Sequence, residues 1–218
     1  MHVVDMKINA PDEFIDKKHL TVFTRGCNMI CDYCFNKHIN QGCNYSFSEI
    51  MVKDLIESNS QVIDYILFTG GEPTLQSDLY QYIEMAKNLG YYVEVCSNGV
   101  LPHKIEDIMY YVDKFRIDFK AGYEYRHLFY NEQQWQGLDS TIRLLKDQDD
   151  TEYRAVLHKD TTMEYLYDLL ETAWLAGVRN FSLIHDINHT IEFDYKTITE
   201  SYFPTFKEYR TKEESVVV

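Results

Sequence analysis

Hydrophobic positions along this chain are concentrated in short segments that alternate with longer stretches of mixed apolar and polar residues. Short runs rich in Val, Ile, Phe and Tyr are typical of buried strands, and the longer stretches are typical of amphipathic helices. The pattern predicts six strands, at residues 19–24, 62–68, 91–97, 114–120, 152–157 and 178–184. Helices are predicted between them, at about residues 47–58, 79–89, 105–112, around 141–146 and up to 176.

Polar residues before several of these helices indicate where they begin. Ser46 with Glu49, and Thr161 with Glu164, have the spacing at which a side chain caps the backbone at a helix start. Ser77 is a further candidate cap, before the helix predicted to start at Leu79. These residues support the helix starts that the apolar spacing predicts.

The regular alternation of strand and helix predicts an α/β fold. Six βα units imply a parallel sheet with right-handed crossovers, and they are too few for an eight-stranded barrel. The expected architecture is therefore a partial, open (β/α)6 barrel in a single domain over residues 1–218, with a core of about residues 19–185. Residues 212–218 are expected to fray.

Composition narrows the class of protein. The chain has 218 residues, 45% of them hydrophobic, and a net charge of −14. This charge argues against non-specific binding to nucleic acid or to an anionic membrane. The sequence has no apolar run that could span a bilayer and no signal-peptide pattern, so a cytoplasmic location is expected.

Three of the five cysteines lie close together in the run of residues 25–36, Arg-Gly-Cys-Asn-Met-Ile-Cys-Asp-Tyr-Cys-Phe-Asn. Thiolates at the spacing of Cys27, Cys31 and Cys34 can bind three irons of a 4Fe–4S cluster, which normally takes four cysteines. One iron would then lack a protein ligand, and an open coordination position is a place for chemistry. A structural zinc site with His38 as the fourth ligand is the alternative.

A second motif, Thr-Gly-Gly-Glu-Pro, ends the strand predicted at residues 62–68. Gly70 and Gly71 allow positive φ and close backbone approach, and Glu72 is a candidate acceptor for an ammonium group. Taken alone, the motif could be a plain turn ended by Pro73. It follows the cysteine loop by about 35 residues, and both motifs come directly after a predicted strand. The pair therefore indicates one functional site.

The cysteine loop and the Gly-Gly-Glu-Pro turn together resemble the radical S-adenosylmethionine (SAM) superfamily. The resemblance implies that the open iron chelates the amino and carboxylate groups of SAM. It also implies that the reduced cluster cleaves the C5′–S bond, which gives methionine and a 5′-deoxyadenosyl radical. The implied cofactors are one 4Fe–4S cluster and SAM, and the implied reductant is an electron donor such as flavodoxin or ferredoxin. The implied fold class is α/β, a partial (β/α)6 open barrel of the radical SAM type.

Further candidate contacts to the cofactor lie at the ends of later predicted strands. Ser97 and Asn98 occupy a position that is near the ribose and methionine carboxylate in the family, although a simple Asn-Gly turn would account for Asn98. Asp118 and Lys120 lie on the same face of their strand because side chains alternate. They are predicted either to contact the cofactor carboxylate and ribose or to form a mutual ion pair.

Two more polar residues complete the set of candidates. Arg154 interrupts an apolar strand, so it is either part of a buried ion pair or a clamp for a carboxylate. His185 directly follows the last predicted strand and is either structural or a cofactor contact.

A narrower resemblance concerns the substrate. The sequences around the cysteine loop, Thr69 to Gln76, Asp118 to Ala121 and Glu152 to Arg154 resemble the activating protein of anaerobic ribonucleoside-triphosphate reductase. This resemblance implies abstraction of a glycine Cα hydrogen from a partner glycyl-radical enzyme. The alternatives are a small-molecule enzyme similar to 7-carboxy-7-deazaguanine synthase, a peptide-modifying radical enzyme, and a non-enzymatic zinc or iron–sulfur protein.

The cysteine spacing generates a direct test of cluster assembly. Anaerobic reconstitution should load about four irons and four sulfides per chain, measured by iron and sulfide analysis. Cys31→Ala should abolish this loading because it removes one of three ligands. Cys43→Ala and Cys96→Ala are the matched controls and should load normally. Full iron content in Cys31→Ala, or zinc alone without brown absorbance, would refute the assignment.

Overall fold

The computed structural model describes residues 1–9, 17–41, 45–186 and 190–211. By their contacts these residues form two compact units. The first consists of described residues within Met1–Ile30, Cys34–Ser97 and His103–Phe115, and the second of those within Cys31–Tyr33, Asn98–Pro102 and Arg116–Val218. A single domain over the whole chain stays a prediction. Cys43 and the tail expected to fray lie outside the described residues.

The described residues of the first unit are built on β1 (Val3–Ile8), β2 (His19–Thr24), β3 (Tyr65–Gly70) and β4 (Tyr92–Ser97). These strands stand side by side in chain order, with β1 antiparallel to β2 and the other neighbours parallel. All six residues of β2 are buried. Three of these buried residues are polar (His19, Thr21 and Thr24), so the burial of this strand exceeds what its apolar residues alone would predict. The helices are α1 (Lys37–Gln41), α2 (Glu49–Asn59), α3 (Leu79–Asn88) and most of α4 (Pro102–Ile108).

The second unit contains the carboxyl-terminal part of β5 (Lys114–Asp118), and then β6 (Glu152–Leu157), β7 (Phe181–Asp186) and β8 (Lys207–Thr211). These strands are parallel and again stand in chain order. The helices between them are α5 (Glu132–Leu145), α6 (Met163–Leu175) and α7 (Tyr195–Tyr202). The predicted α/β class with parallel strands is therefore confirmed.

The six predicted strands correspond to β2 through β7, with shifts at their ends. β3 begins at Tyr65 rather than residue 62, because Val62 is 68% exposed and lies outside the core. The structure also contains β1, β8, α1 and α7, which the sequence analysis did not predict. The strands β1 and β8 carry charged residues, as strands at the edge of a sheet often do, and so lack a continuous apolar run.

Three of the predicted helix caps were wrong by one or two residues. Ser48 rather than Ser46 caps α2, because its extended backbone lets its hydroxyl accept a hydrogen bond from the Met51 N–H at 3.3 Å. Thr162 rather than Thr161 caps α6. The residue before α3 is Asp78 rather than Ser77, and its side chain pairs with the N-terminal ammonium group of the chain instead.

Gly137 shows how closely α5 packs within the second unit. A Cβ atom on Gly137 would lie 2.2 Å from the carbonyl oxygen of Val100, which is a backbone atom.

Alanine normally stabilises a helix by about 0.5–1 kcal/mol relative to glycine. Here we expect Gly137→Ala to lower the free energy of unfolding by about 1–3 kcal/mol, because the helix must move away. Ser140→Ala, exposed on the same helix, should change it by less than about 0.5 kcal/mol. Urea titration measures both, and an unchanged Gly137→Ala variant would contradict the packing.

Candidate active site

In the first unit, the ends of β2 and β3 approach each other so closely that only glycine fits. Thr24 and Gly70 are register partners, and Gly70 has a φ of +108°. A Cβ atom on Gly70 would lie 2.5 Å from the Thr24 nitrogen. The backbone then continues with hydrogen bonds from Gly71 N–H to Thr24 O (2.8 Å) and from Glu72 N–H to Gly26 O (2.7 Å). The Gly-Gly-Glu-Pro turn is therefore joined directly to the start of the cysteine loop.

Two side chains of the first unit support these loops. Asn36 Nδ2 donates to the Gly70 carbonyl oxygen at 2.8 Å. Gln76 Nε2 donates to the Arg25 carbonyl oxygen at 2.9 Å, while its Oε1 accepts from the His2 N–H at 2.8 Å. Both residues belong to the motif segments quoted from the sequence, but their supporting role could not be derived there.

Glu72 lies at the end of the turn with 1% of its surface exposed. Its Oε1 accepts hydrogen bonds from Thr74 Oγ1 (2.5 Å), Thr74 N–H (3.1 Å) and Ser97 Oγ (2.8 Å). Pro73 follows as the first residue of the short 3-10 turn Pro73–Leu75 and is also buried. The structure thus brings together two predicted site residues, Glu72 and Ser97. A carboxylate held in this way is suited to binding a cationic group.

Asn98 belongs to the second unit and is buried there. Its Oδ1 accepts a hydrogen bond from the Val100 N–H at 3.1 Å, which forms the Asn-Gly turn predicted as the alternative to a cofactor contact. Gly99 follows with a φ of +72°, and its carbonyl oxygen accepts from Thr141 Oγ1 at 2.7 Å. A cofactor contact for Asn98 stays a prediction.

Three predicted residues of the second unit form one charged group. Asp118 Oδ1 accepts a hydrogen bond from Arg154 Nε at 2.5 Å, and Oδ2 accepts from Lys120 Nζ at 2.9 Å. Asp118 and Arg154 are register partners on neighbouring strands, so both project from the same face of the sheet. The mutual ion pair that the sequence offered as an alternative is present, with Arg154 added to it. Asp118 is therefore hydrogen-bonded to two cations at once.

The charged group shifts the pKa values of its own members. Burial by itself would raise the pKa of Asp118, but the charges of Arg154 and Lys120 and their hydrogen bonds hold it at about 2. Burial would lower the pKa of Lys120, but the nearby negative charge of Asp118 raises it well above its usual value. Asp118 and Lys120 therefore carry their charges at neutral pH.

An aromatic cluster in the second unit surrounds Tyr33, the residue before Cys34. The Tyr33 ring stacks on the His158 imidazole with centroids 4.6 Å apart and an angle of 18° between the planes. Phe129 packs against Tyr33 at 5.5 Å, and Tyr165 packs edge-on against His158 at 5.8 Å. Burial raises the pKa of Tyr33 well above its usual value, so the phenol stays neutral. The sequence analysis missed His158, although it directly follows a predicted strand as His185 does.

His185 occupies a different environment from the charged group. Arg154 pairs with Ser182 and Leu157 pairs with His185, so alternation places His185 on the opposite face of the sheet from Arg154. Its ring packs edge-on against Tyr195 at 5.5 Å, and Tyr195 donates to Glu208 Oε1 at 2.8 Å. The structure does not group His185 with the other candidates, and its contact with a cofactor stays a prediction.

The three cysteines of the loop, Cys27, Cys31 and Cys34, are half-buried and lie outside helices and strands. Across the described parts of the chain, no three His, Cys, Asp or Glu side chains converge closely enough to hold a single metal ion. His38 is exposed on α1. A loop with three thiols is a donor set that fits an iron–sulfur cluster with one open iron, since each thiolate binds a different iron. Cys96 is buried with Tyr65 and Leu67 in the core, and its Sγ lies 4.0 Å from Glu94 Oε1.

Residues 21–173 match the family model described as the Radical SAM superfamily. The chain belongs to the radical SAM superfamily. Radical SAM enzymes use a 4Fe–4S cluster and SAM, which confirms both cofactors predicted from the motifs. The matched residues begin in β2 and end in α6, so they include the cysteine loop, the Gly-Gly-Glu-Pro turn and the charged group.

Similarity to individual radical SAM proteins is more limited. A stretch of 111 residues is 39% identical to a protein of Methanocaldococcus jannaschii that is provisionally named a glycyl-radical enzyme activating enzyme, and it covers 50% of this chain and 42% of that protein. A stretch of 108 residues is 31% identical to 7-carboxy-7-deazaguanine synthase of Methanospirillum hungatei, covering 47% and 44%. The chain thus matches less than half the length of either relative.

The fold is shared with solved radical SAM structures. The crystal structure of QueE from Escherichia coli superposes with a TM-score of 0.55 over 97% of this chain and 94% of that chain, at 13% identity. This similarity and the family match confirm the predicted fold class. Among the helices of the described residues, none has the length and apolar character needed to cross a membrane.

The charged group of the second unit predicts a pH dependence of stability. The pKa of Asp118 is about 2 in the folded chain and near its ordinary value of 3.8 when unfolded, so the unfolded chain binds more protons between these values. The stabilisation is present above pH 3.8 and is lost as pH falls toward 2. It amounts to about 1–2 kcal/mol, since 27% of the Asp118 side chain remains exposed to screening water.

Asp118→Asn should remove this part of the pH dependence, as measured by urea unfolding between about pH 5 and pH 2. The variant should also be less stable at neutral pH, because Arg154 and Lys120 lose their counter-charge. The exposed Asp147→Asn serves as a control and should keep the wild-type slope. An Asp118→Asn variant with an unchanged slope would show that this carboxylate does not titrate as described.

Proposed function

We propose that this chain activates a glycyl-radical enzyme by removing a Cα hydrogen atom from a glycine of that partner. The observation that carries the proposal is the 39% identity over 111 residues to the relative named as an activating enzyme. The expected partner is an anaerobic ribonucleotide reductase, because the segment Asp118-Phe119-Lys120-Ala121 resembles the Asp-x-Lys-Ala segment of that activase class.

The cysteine loop would hold the cluster. Cys27, Cys31 and Cys34 each bind one iron in the proposal, which leaves the fourth iron open to SAM. When bound, the cluster and SAM together supply the one-electron chemistry that yields a radical able to abstract hydrogen. A flavodoxin or ferredoxin is the proposed electron donor.

The first unit offers a carboxylate and a shaped backbone to the cofactor. Glu72 accepts from the ammonium of SAM in the proposal, and Ser97 Oγ holds the carboxylate in its orientation through the observed 2.8 Å hydrogen bond. Gly70 and Gly71 are proposed to offer backbone polar groups to SAM, although the space where a Gly70 side chain would lie is filled by Thr24. Pro73 fixes the end of the turn by starting the short 3-10 helix.

The second unit offers positive charge. Lys120 and Arg154, both hydrogen-bonded to Asp118, are proposed to bind the carboxylate of SAM. Binding is favoured because the two cations are already ordered by their hydrogen bonds to Asp118. Asn98 and His185 are proposed as further contacts on the basis of the family resemblance alone.

A small-molecule reaction is the second candidate function. The 31% identity to a 7-carboxy-7-deazaguanine synthase favours it, since the matched stretch is nearly as long as for the activase relative. In that case carboxy-tetrahydropterin would be the substrate, and the same residues would hold the same cofactors. A peptide substrate has no comparable support among the residues described.

Electron paramagnetic resonance tests the glycyl-radical proposal. The reconstituted protein is mixed anaerobically with the anaerobic ribonucleotide reductase of the same organism, SAM and a one-electron reductant. We expect a glycyl doublet on the reductase together with formation of 5′-deoxyadenosine, because hydrogen abstraction leaves the unpaired electron on the glycine.

Cys31→Ala and a reductase whose target glycine is changed to alanine are the controls, and neither should give the doublet. Formation of 5′-deoxyadenosine without the doublet, together with turnover of carboxy-tetrahydropterin, would transfer the function to the deazaguanine class. If an intact reduced cluster gave no 5′-deoxyadenosine with any of these substrates, radical SAM activity itself would be refuted.

A further inference from the structure

The residue that packs face to face on the cysteine loop is His158. Its imidazole stacks on Tyr33 at 4.6 Å, and Tyr33 lies two residues after Cys31. Phe129 packs against both rings, at 5.5 Å from Tyr33 and 6.2 Å from His158. Aromatic pairs at such distances are attractive beyond the area that they bury. The ring of Tyr33 is therefore held between two partners within the second unit.

His158 is itself fixed by several contacts. Its backbone N–H donates to Thr161 Oγ1 at 2.9 Å, and its carbonyl oxygen accepts from the Thr161 N–H at 2.9 Å. Its Nδ1 accepts a hydrogen bond from the Asp160 N–H at 3.3 Å, which orients the ring. The side chain of Tyr165 packs on the ring edge and donates to the Lys120 carbonyl oxygen. Only 8% of His158 is exposed.

We propose that His158 is a positioning residue for the cysteine loop, acting through Tyr33 on Cys31. A loop outside helices and strands loses conformational freedom when it is ordered, and a ligand on a pre-ordered loop binds metal more readily. The contiguous segment Cys31–Tyr33 groups with the second unit, as His158 does. The stack on His158 is thus in place to order Cys31 before any cluster binds. The inference rests on the proposed function only in taking Cys31 as an iron ligand.

The stacking of His158 on Tyr33 predicts which substitutions at residue 158 should keep the loop ordered. Stacking needs a flat ring of similar size at residue 158, so His158→Phe should retain the position of Tyr33, whereas His158→Ala should release it. His127→Ala is the matched control, because His127 is an exposed histidine of the same unit outside the aromatic cluster.

Alkylation of the cluster-free protein measures the order of the loop directly. Each variant is treated with iodoacetamide under anaerobic reducing conditions, and the rate at each cysteine is followed by peptide mass spectrometry. We expect Cys31 to react about tenfold faster in His158→Ala than in the wild type, which corresponds to ~1.4 kcal/mol. Cys96 is buried in the core, so its rate reports on global opening and should not change. His158→Phe should stay within about twofold of the wild type.

A second measurement uses the reconstituted protein. A ferrous chelator should remove iron faster from His158→Ala, and His158→Phe and His127→Ala should resemble the wild type.

Equal alkylation rates of Cys31 in His158→Ala and the wild type would overturn the proposal. So would an equal rise at Cys96, which would show general destabilisation, or a His158→Phe variant as reactive as His158→Ala. Alkylation requires no radical chemistry, so this test can fail while glycyl-radical formation succeeds, and the reverse.

Discussion

The contact between Gly70 and Thr24 is the constraint on which the candidate site of the first unit depends. A Cβ atom at Gly70 would lie 2.5 Å from the Thr24 nitrogen and 2.7 Å from its carbonyl oxygen, so no other residue fits there without moving one strand. This approach is what allows Gly71 and Glu72 to donate backbone hydrogen bonds to the segment that leads into the cysteines. The turn and the cysteine loop therefore cannot be positioned independently. The position of Glu72 is determined by β2 as well as by β3.

In the second unit, the candidate site residues are positioned by charge–charge interactions rather than by close backbone packing. Asp118 is largely buried between two cations, and removal from water would favour its neutral form if the cations were absent. The hydrogen bonds from Arg154 and Lys120 offset that cost and fix all three side chains in one geometry. The charges of Arg154 and Lys120 are thus what keeps a mostly buried carboxylate ionised, as the glycine contact keeps the turn of the first unit in place.

Features that depend on one strand or loop could be predicted from the sequence, whereas contacts between distant segments could not. The strands β2 through β7 were predictable because each is a short segment that contains buried apolar residues, and the pairing of Asp118 with Lys120 followed from the alternation predicted over residues 114–120. The strands β1 and β8 escaped prediction because edge strands carry polar residues. The hydrogen bond between Ser97 and Glu72 and the stack of His158 on Tyr33 join distant segments. Contacts of that kind depend on tertiary packing, which no local pattern encodes.

Two different interactions hold the cysteine loop, and the difference has a consequence for its three thiols. Residues near Cys27 and Cys34 are held by hydrogen bonds of the first unit, through Gly26 on one side and Asn36 on the other. These bonds are directional and restrict the backbone to a narrow range of positions. The segment containing Cys31 groups with the second unit, where Tyr33 is held by stacking, which tolerates small sliding movements of the rings. Cys31 therefore depends on side-chain packing for its order, whereas the backbone beside Cys27 and Cys34 is ordered by directional hydrogen bonds.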